Sequence, residues 1–143
     1  MKLLIINGPN LNLIGNRETD VYGDESLDQI INWIQKKTKN IEIDLLWFQS
    51  NSEGEIIDKL HWAMHNDIKG VVINPGAYTH YSYAIRDAIS SIEIPVVEVH
   101  LSNIYERESF RRISVIKEVC KKQIKGLGKK GYLQAINFFV SAK

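Results

Sequence analysis

A parallel, doubly wound α/β sheet is the fold class this sequence predicts, and three observations carry the prediction. Short apolar runs of strand length recur at residues 3–6, 70–73 and 95–100, each next to glycine, proline or asparagine. Runs this short and continuously apolar read as strands covered on both faces, as in parallel sheets. Between them lie helical patterns, and strands alternating with helices predict a crossover-connected sheet. Polar turns close the runs, at the carboxyl edge where open α/β sheets bind ligands.

The first strand, Leu3-Leu4-Ile5-Ile6, enters Asn7-Gly8-Pro9-Asn10-Leu11-Asn12-Leu13, a turn loaded with amides, and then a glycine-bounded loop over residues 15–23. Ser26 with Gln29 three residues on is a capping box, and Leu27, Ile30, Ile31 and Ile34 follow at helical spacing. Residues 41–48 read as a second strand ending in Gln49-Ser50-Asn51. Ser52 and Glu55 form another capping box, opening a helix with Ile56, Ile57, Leu60 and Met64 inward. The third strand, 70–73, closes in Asn74-Pro75-Gly76, and a helix over 78–91 carries Ala84, Ile85, Ala88 and Ile89 on one face. The fourth strand starts at Pro95, a residue tolerated at a first strand position, and ends in Glu98-Val99-His100. Residues 103–112 are charged loop or short helix, 119–125 a polar edge strand, and 131–141 a closing helix.

Composition narrows the function. A length of 143 residues gives a single domain over 1–143, with 44% hydrophobic and 24% charged residues, the balance of an ordinary globule. A net charge of +1 supplies no field that argues for nucleic acid or membrane. No apolar run approaches the ~20 residues of a membrane span. The single Cys120 forms no internal disulfide, and the start of the chain has no signal-peptide pattern, so a cytoplasmic protein is expected.

Familiar sites are missing from the motifs. There is no glycine-rich dinucleotide fingerprint after the first strand and no phosphate loop. His61 and His65 have zinc-helix spacing without its glutamate and read as solvent-facing. Lys117, Lys121, Lys122, Lys125, Lys129 and Lys130 read as a solvated edge that discourages strand pairing. Cys120 falls within the predicted edge strand, where packing is its default role. What remains is acid–base chemistry. Glu98 and His100, two apart on a strand, share a face. Arg17 and Tyr22 share one loop, and spacing alone reads them as a surface lid with a salt bridge. Four polar strand ends on one rim favour a small-molecule pocket.

These motifs, in this order, resemble type II 3-dehydroquinate dehydratase. The residues that carry the resemblance are residues 7–13, Gly15-x-Arg17-Glu18-x-x-x-Tyr22-Gly23, Gln49-Ser50-Asn51-x-Glu53-Gly54-Glu55, residues 74–80 and residues 98–103, and it extends to about Tyr132. The resemblance implies a flavodoxin-like three-layer sandwich with five parallel strands in the order 2-1-3-4-5. It implies loss of water from 3-dehydroquinate to give 3-dehydroshikimate through an enolate, with no cofactor and no metal.

Carried onto matching positions, Tyr22 is the base, Arg17 the cation that favours its ionised form, and Asn10 a holder of the water that stabilises the enolate. His100 is the general acid, oriented by Glu98. Backbone N–H groups of Leu101 and Ser102, the Ser102 hydroxyl and Asn74 bind the carboxylate, while His80 and Arg111 bind ring hydroxyls. Asp87 matches an acidic residue that reaches a neighbouring subunit's site, so the implied partners are copies of the chain, as trimers assembled into a dodecamer. Ser52, Thr19, Tyr81 and Tyr105 depart from the family pattern, and the expectation is that they affect lid closure and inhibitor preference. Two other classes remain open on the residues alone: a flavodoxin-like module that binds a nucleotide or flavin without chemistry, and an RNA-associated protein using the lysine tract.

Overall fold

Leu3, Leu4, Ile5 and Ile6 are all completely buried, which requires a layer on each side of the strand that carries them. The computed structural model, which describes residues 1–16 and 18–142, supplies both layers. Strands β1 (Lys2–Asn7), β2 (Asp44–Gln49), β3 (Ile68–Asn74), β4 (Val96–His100) and β5 (Lys122–Lys125) form one sheet in the order β2-β1-β3-β4-β5. All four pairings are parallel. This is the flavodoxin-like order, with the switch point between β1 and β3.

Helices α1 (Thr19–Tyr22), α2 (Leu27–Thr38), α3 (Glu53–Met64), α4 (Tyr83–Ser91) and α5 (Lys130–Ser141) complete the fold. Alternation along the strands sorts the core into two halves. Leu3, Ile5, Val72, Val97 and Val99 face α2 and α5, while Leu4, Ile6, Val71, Ile73 and Val96 face α3 and α4. No helix among the described residues is long and apolar enough to cross a membrane.

Local chemistry explains most element starts. Ser26 and Gln29 make the reciprocal capping box, Ser26 Oγ accepting from the Gln29 N–H at 3.2 Å and Gln29 Oε1 from the Ser26 N–H at 2.8 Å. The second box is only half formed. Ser52 Oγ caps the Glu55 N–H at 3.2 Å, but the Glu55 carboxylate takes the Ser50 hydroxyl instead of returning to the cap.

Four other expectations are corrected. The helix placed at 78–91 is broken: residues 76–80 wind as a 3₁₀ turn, and α4 starts only at Tyr83, because Ser82 Oγ caps the Ile85 N–H at 3.0 Å. Met64 and Ala84 are exposed, and Ala63 fills the inward position on α3. The edge strand is shorter than 119–125, since residues 117–119 form a 3₁₀ turn, and Cys120 lies before β5, packed against the α3–α4 half of the core. The glycine-bounded loop contains a one-turn helix, α1, with no buried residue. His61 and His65 are exposed as expected, and no group of three or more His, Cys, Asp or Glu side chains among the described residues is placed to hold a metal.

Candidate active site

Three loops at the carboxyl ends of β1, β3 and β4 make the walls of a cleft of about 100 Å³. The first two are locked back to back. The Gly8 N–H donates to the Asn74 carbonyl at 2.8 Å, and a Cβ at Gly8 would stand 2.5 Å from the Pro75 carbonyl oxygen, so only glycine fits. Asn10 follows in the left-handed region, φ 67°, which asparagine tolerates better than most residues. Its N–H donates to Asn51 Oδ1 at 3.0 Å, and Gln49 Nε2 donates to the Gly8 carbonyl and to Asn51 Oδ1, each at 3.1 Å. Gln49 and Asn51 therefore brace the turn from outside and do not line the cleft.

Of the expected site residues, Asn10, Tyr22, Asn74, His80, His100, Leu101, Ser102 and Arg111 line this one cleft. Glu98 lies buried beneath it, beside His100. Asp87 is elsewhere, exposed on α4, and Arg17 lies outside the described residues. Ser52 is a helix cap and Tyr81 an exposed ring edge-on to Tyr78, so neither forms part of the cleft wall.

On the floor, His100 Nε2 sits 2.6 Å from Glu98 Oε1, with both side chains buried. A carboxylate only accepts, so this contact places a proton on Nε2 and leaves Nδ1 as the ring's other polar atom. The same Glu98 oxygen accepts from Ser114 Oγ at 2.7 Å and from Gln123 Nε2 at 3.2 Å.

Across the cleft, Arg107 Nη1 donates to the Tyr22 phenolic oxygen at 2.6 Å, and its guanidinium carbon lies 5.1 Å from the centre of the Tyr22 ring. Arg107 Nη2 is also 3.9 Å from Glu18 Oε1. Sequence reasoning missed Arg107. It is one arginine in a charged run, 85 residues from its tyrosine, and no local spacing singles it out.

The remaining walls are polar and oriented. Asn74 Oδ1 accepts from the Gly76 N–H at 3.2 Å, and Asn74 Nδ2 donates to the Tyr132 phenol at 3.0 Å. Tyr132 in turn donates to Asn7 Oδ1 at 2.5 Å. Burial holds the Tyr132 phenol well above its ordinary titration range, so it stays neutral and serves as both donor and acceptor. The Asn74 amide is thereby fixed, with its second N–H available to a ligand. His80 Nδ1 lies 2.7 Å from the Ile113 carbonyl and must carry the proton there. Partial burial lowers the His80 pKa below 6.5, the Ile113 hydrogen bond partly offsets this, and electrostatic interaction with His100, Arg111 and Arg107 lowers it further. Neutral His80 therefore keeps a lone pair on Nε2. The carbonyls of Leu101 and Ser102 accept from the Gly128 and Gly126 N–H groups at 3.0 and 3.1 Å, which sets the turn after β4.

Comparison with known proteins places the chain in one family. The family described as dehydroquinase class II matches residues 1–140. A 3-dehydroquinate dehydratase of Caldicellulosiruptor saccharolyticus is 55% identical over 135 residues, 94% of this chain and 93% of the relative. The crystal structure of type II dehydroquinase from Butyrivibrio crossotus superposes with a TM-score of 0.96 at 53% identity, covering 98% of this chain and 97% of that one. That of Propionibacterium acnes gives 0.93 at 36% identity, covering 98% and 96%. A cleft at the switch point with a buried Glu–His pair on one side and an Arg–Tyr pair on the other is thus found in a chain that belongs to the class II dehydroquinase family.

Proposed function

We propose that this chain removes water from 3-dehydroquinate to give 3-dehydroshikimate by the acid–base chemistry of its own side chains. The observation that carries the reading is that a phenol bonded to a guanidinium and an imidazole backed by a buried carboxylate line the same cleft. A phenol in water titrates near pH 10, so only about one in a thousand is ionised at neutral pH. A guanidinium in contact favours the anion. Tyr22, with Arg107 beside it and Arg17 on its own loop, is the group that takes the proton from the carbon next to the ketone.

The electron pair of that C–H bond moves onto the ketone oxygen, giving an enolate. Asn10, at the cleft wall, and a water it holds stabilise the developing negative charge. As the enolate collapses, the pair forms the new C=C bond and the hydroxyl leaves, taking a proton from His100. Tyr22 ends protonated and His100 one proton short, and exchange with solvent resets both. Glu98 holds the imidazole in orientation and balances its charge before donation. Asn74, the Leu101 and Ser102 N–H groups and the Ser102 hydroxyl receive the substrate carboxylate, while Arg111 and the Nε2 lone pair of His80 receive ring hydroxyls. Asp87, exposed on α4, reaches the site of a neighbouring copy in trimers, four of which assemble into a dodecamer.

The product is a conjugated enone, so adding purified protein to 3-dehydroquinate should raise ultraviolet absorbance with turnover. A protein that binds the compound and leaves the absorbance flat overturns the reading. Light scattering at twelve times the chain mass checks the assembly.

A further inference from the structure

Three donors converge on one oxygen of Glu98, while its other oxygen, Oε2, is buried with no partner among the described residues. The plane of this carboxylate is therefore set through Oε1 alone. Two of the three donors, Ser114 and Gln123, are independent of His100. Gln123 is placed by the sheet itself, because the β4–β5 register pairs it with Glu98 and sends both side chains to the same face.

A glutamine amide can present either its N–H₂ or its carbonyl, and only the former binds a carboxylate. Tyr105 makes that choice. Its hydroxyl donates to Gln123 Oε1 at 3.0 Å, which turns Gln123 Nε2 toward Glu98 at 3.2 Å. Tyr105 is itself fixed: its N–H donates to Asn103 Oδ1 at 3.2 Å, and the ammonium groups of Lys125 and Lys117 lie 5.3 and 5.9 Å from its ring centre. Tyr105, one of the positions that depart from the family pattern, is thus tied to β5.

We propose that Gln123, oriented by Tyr105, is a positioning residue that fixes the Glu98 carboxylate and through it the aim of the His100 proton. This rests on the reading of His100 as the general acid. With Gln123 gone, one of three restraints on Oε1 is lost, and the unpartnered Oε2 can rotate in to compete for the His100 and Ser114 donors.

The test uses the full-length protein and 3-dehydroquinate. Gln123→Met keeps length and removes the donor. Expected are a roughly tenfold fall in kcat with KM unchanged, and a shift of the low-field NMR signal of the His100 Nε2 proton. Tyr105→Phe should give a smaller fall of the same kind, and the double variant should be no slower than Gln123→Met alone, since Tyr105 acts through Gln123. Unchanged kcat with an unmoved His100 signal overturns the proposal, and so do additive effects of the two substitutions. His100→Ala separates the two levels. If it is inactive while Gln123→Met is silent, only the positioning role falls. If it turns over normally, the acid assignment falls and this proposal with it.

Discussion

His100 and Tyr22 line the same cleft, but they are carried by supports of opposite kind. His100 stands on the last residue of β4, a strand with every residue buried, and its ring rests on a carboxylate of 0% exposure. Tyr22 ends a single helical turn with no buried residue, entered through Glu18 at φ 40° and left through Gly23 at φ 83°. Backbone pairing holds the first. Side-chain contacts reaching in from other parts of the chain hold the second, with Arg107 on the phenol and Lys129 bridging to Glu25 at 2.9 Å where the loop returns. The proposed proton donor is thus held by the sheet, and the proposed base by side chains from distant parts of the chain. Single side chains should therefore affect the position of Tyr22 more directly than that of His100.

Substitutions can break or sharpen this contrast. The largest effect is expected on the reacting groups themselves: Tyr22→Phe should cut kcat about a thousandfold while product still binds, as titration calorimetry can read. Near-normal turnover removes Tyr22 from the base role.

Arg107→Met attacks the loop's support from outside and should cost about a hundredfold in kcat. Near-normal kcat would show that the Arg107–Tyr22 contact does not hold the base in place. Substrate affinity should answer to His80. Partial burial holds its pKa below the ordinary imidazole value, so the rise of KM on acidification should set in at lower pH than for a free imidazole. Only at lower pH, where protonation removes the Nε2 acceptor, should KM climb several-fold, and a rise starting above pH 6.5 would contradict this.

Two further changes address the frame. Tyr132→Phe leaves Asn7 Oδ1 and one Asn74 N–H buried without their partner, so about 1–3 kcal/mol of stability in urea unfolding is expected to be lost. KM should rise with it as the amide loosens. Ser26→Ala removes only the α2 cap, at about 1 kcal/mol, with kcat and KM unchanged.

Much of this was legible before any coordinates. The buried β1, the Ser26 box, the parallel sheet and the shared face of Glu98 and His100 follow from periodicity and capping chemistry that act over a few residues. Motif order supplied the strand order and pointed to Tyr22, His80 and Arg111, which line the cleft. What stayed hidden depends on contacts across long stretches of chain. Asn7, Gln49 and Asn51 look like ligand groups because amides at strand ends have no sequence mark that separates a wall from a brace. The break at Tyr81–Ser82 hides because serine is an ordinary residue until its hydroxyl finds the Ile85 N–H. Arg107 and Gln123 gain their roles only when Tyr22 and Glu98, 85 and 25 residues away, come beside them.

The hydrogen bonds that join Asn7, Asn74 and Tyr132 also impose an order in time. On the ribosome the two asparagines emerge far ahead of residue 132, and until α5 docks their buried amides face an open gap. The nascent chain can pair its early strands without owning a finished binding floor. The polar network beneath the cleft is therefore completed by a tyrosine 58 residues beyond Asn74, and the early strands alone do not close it.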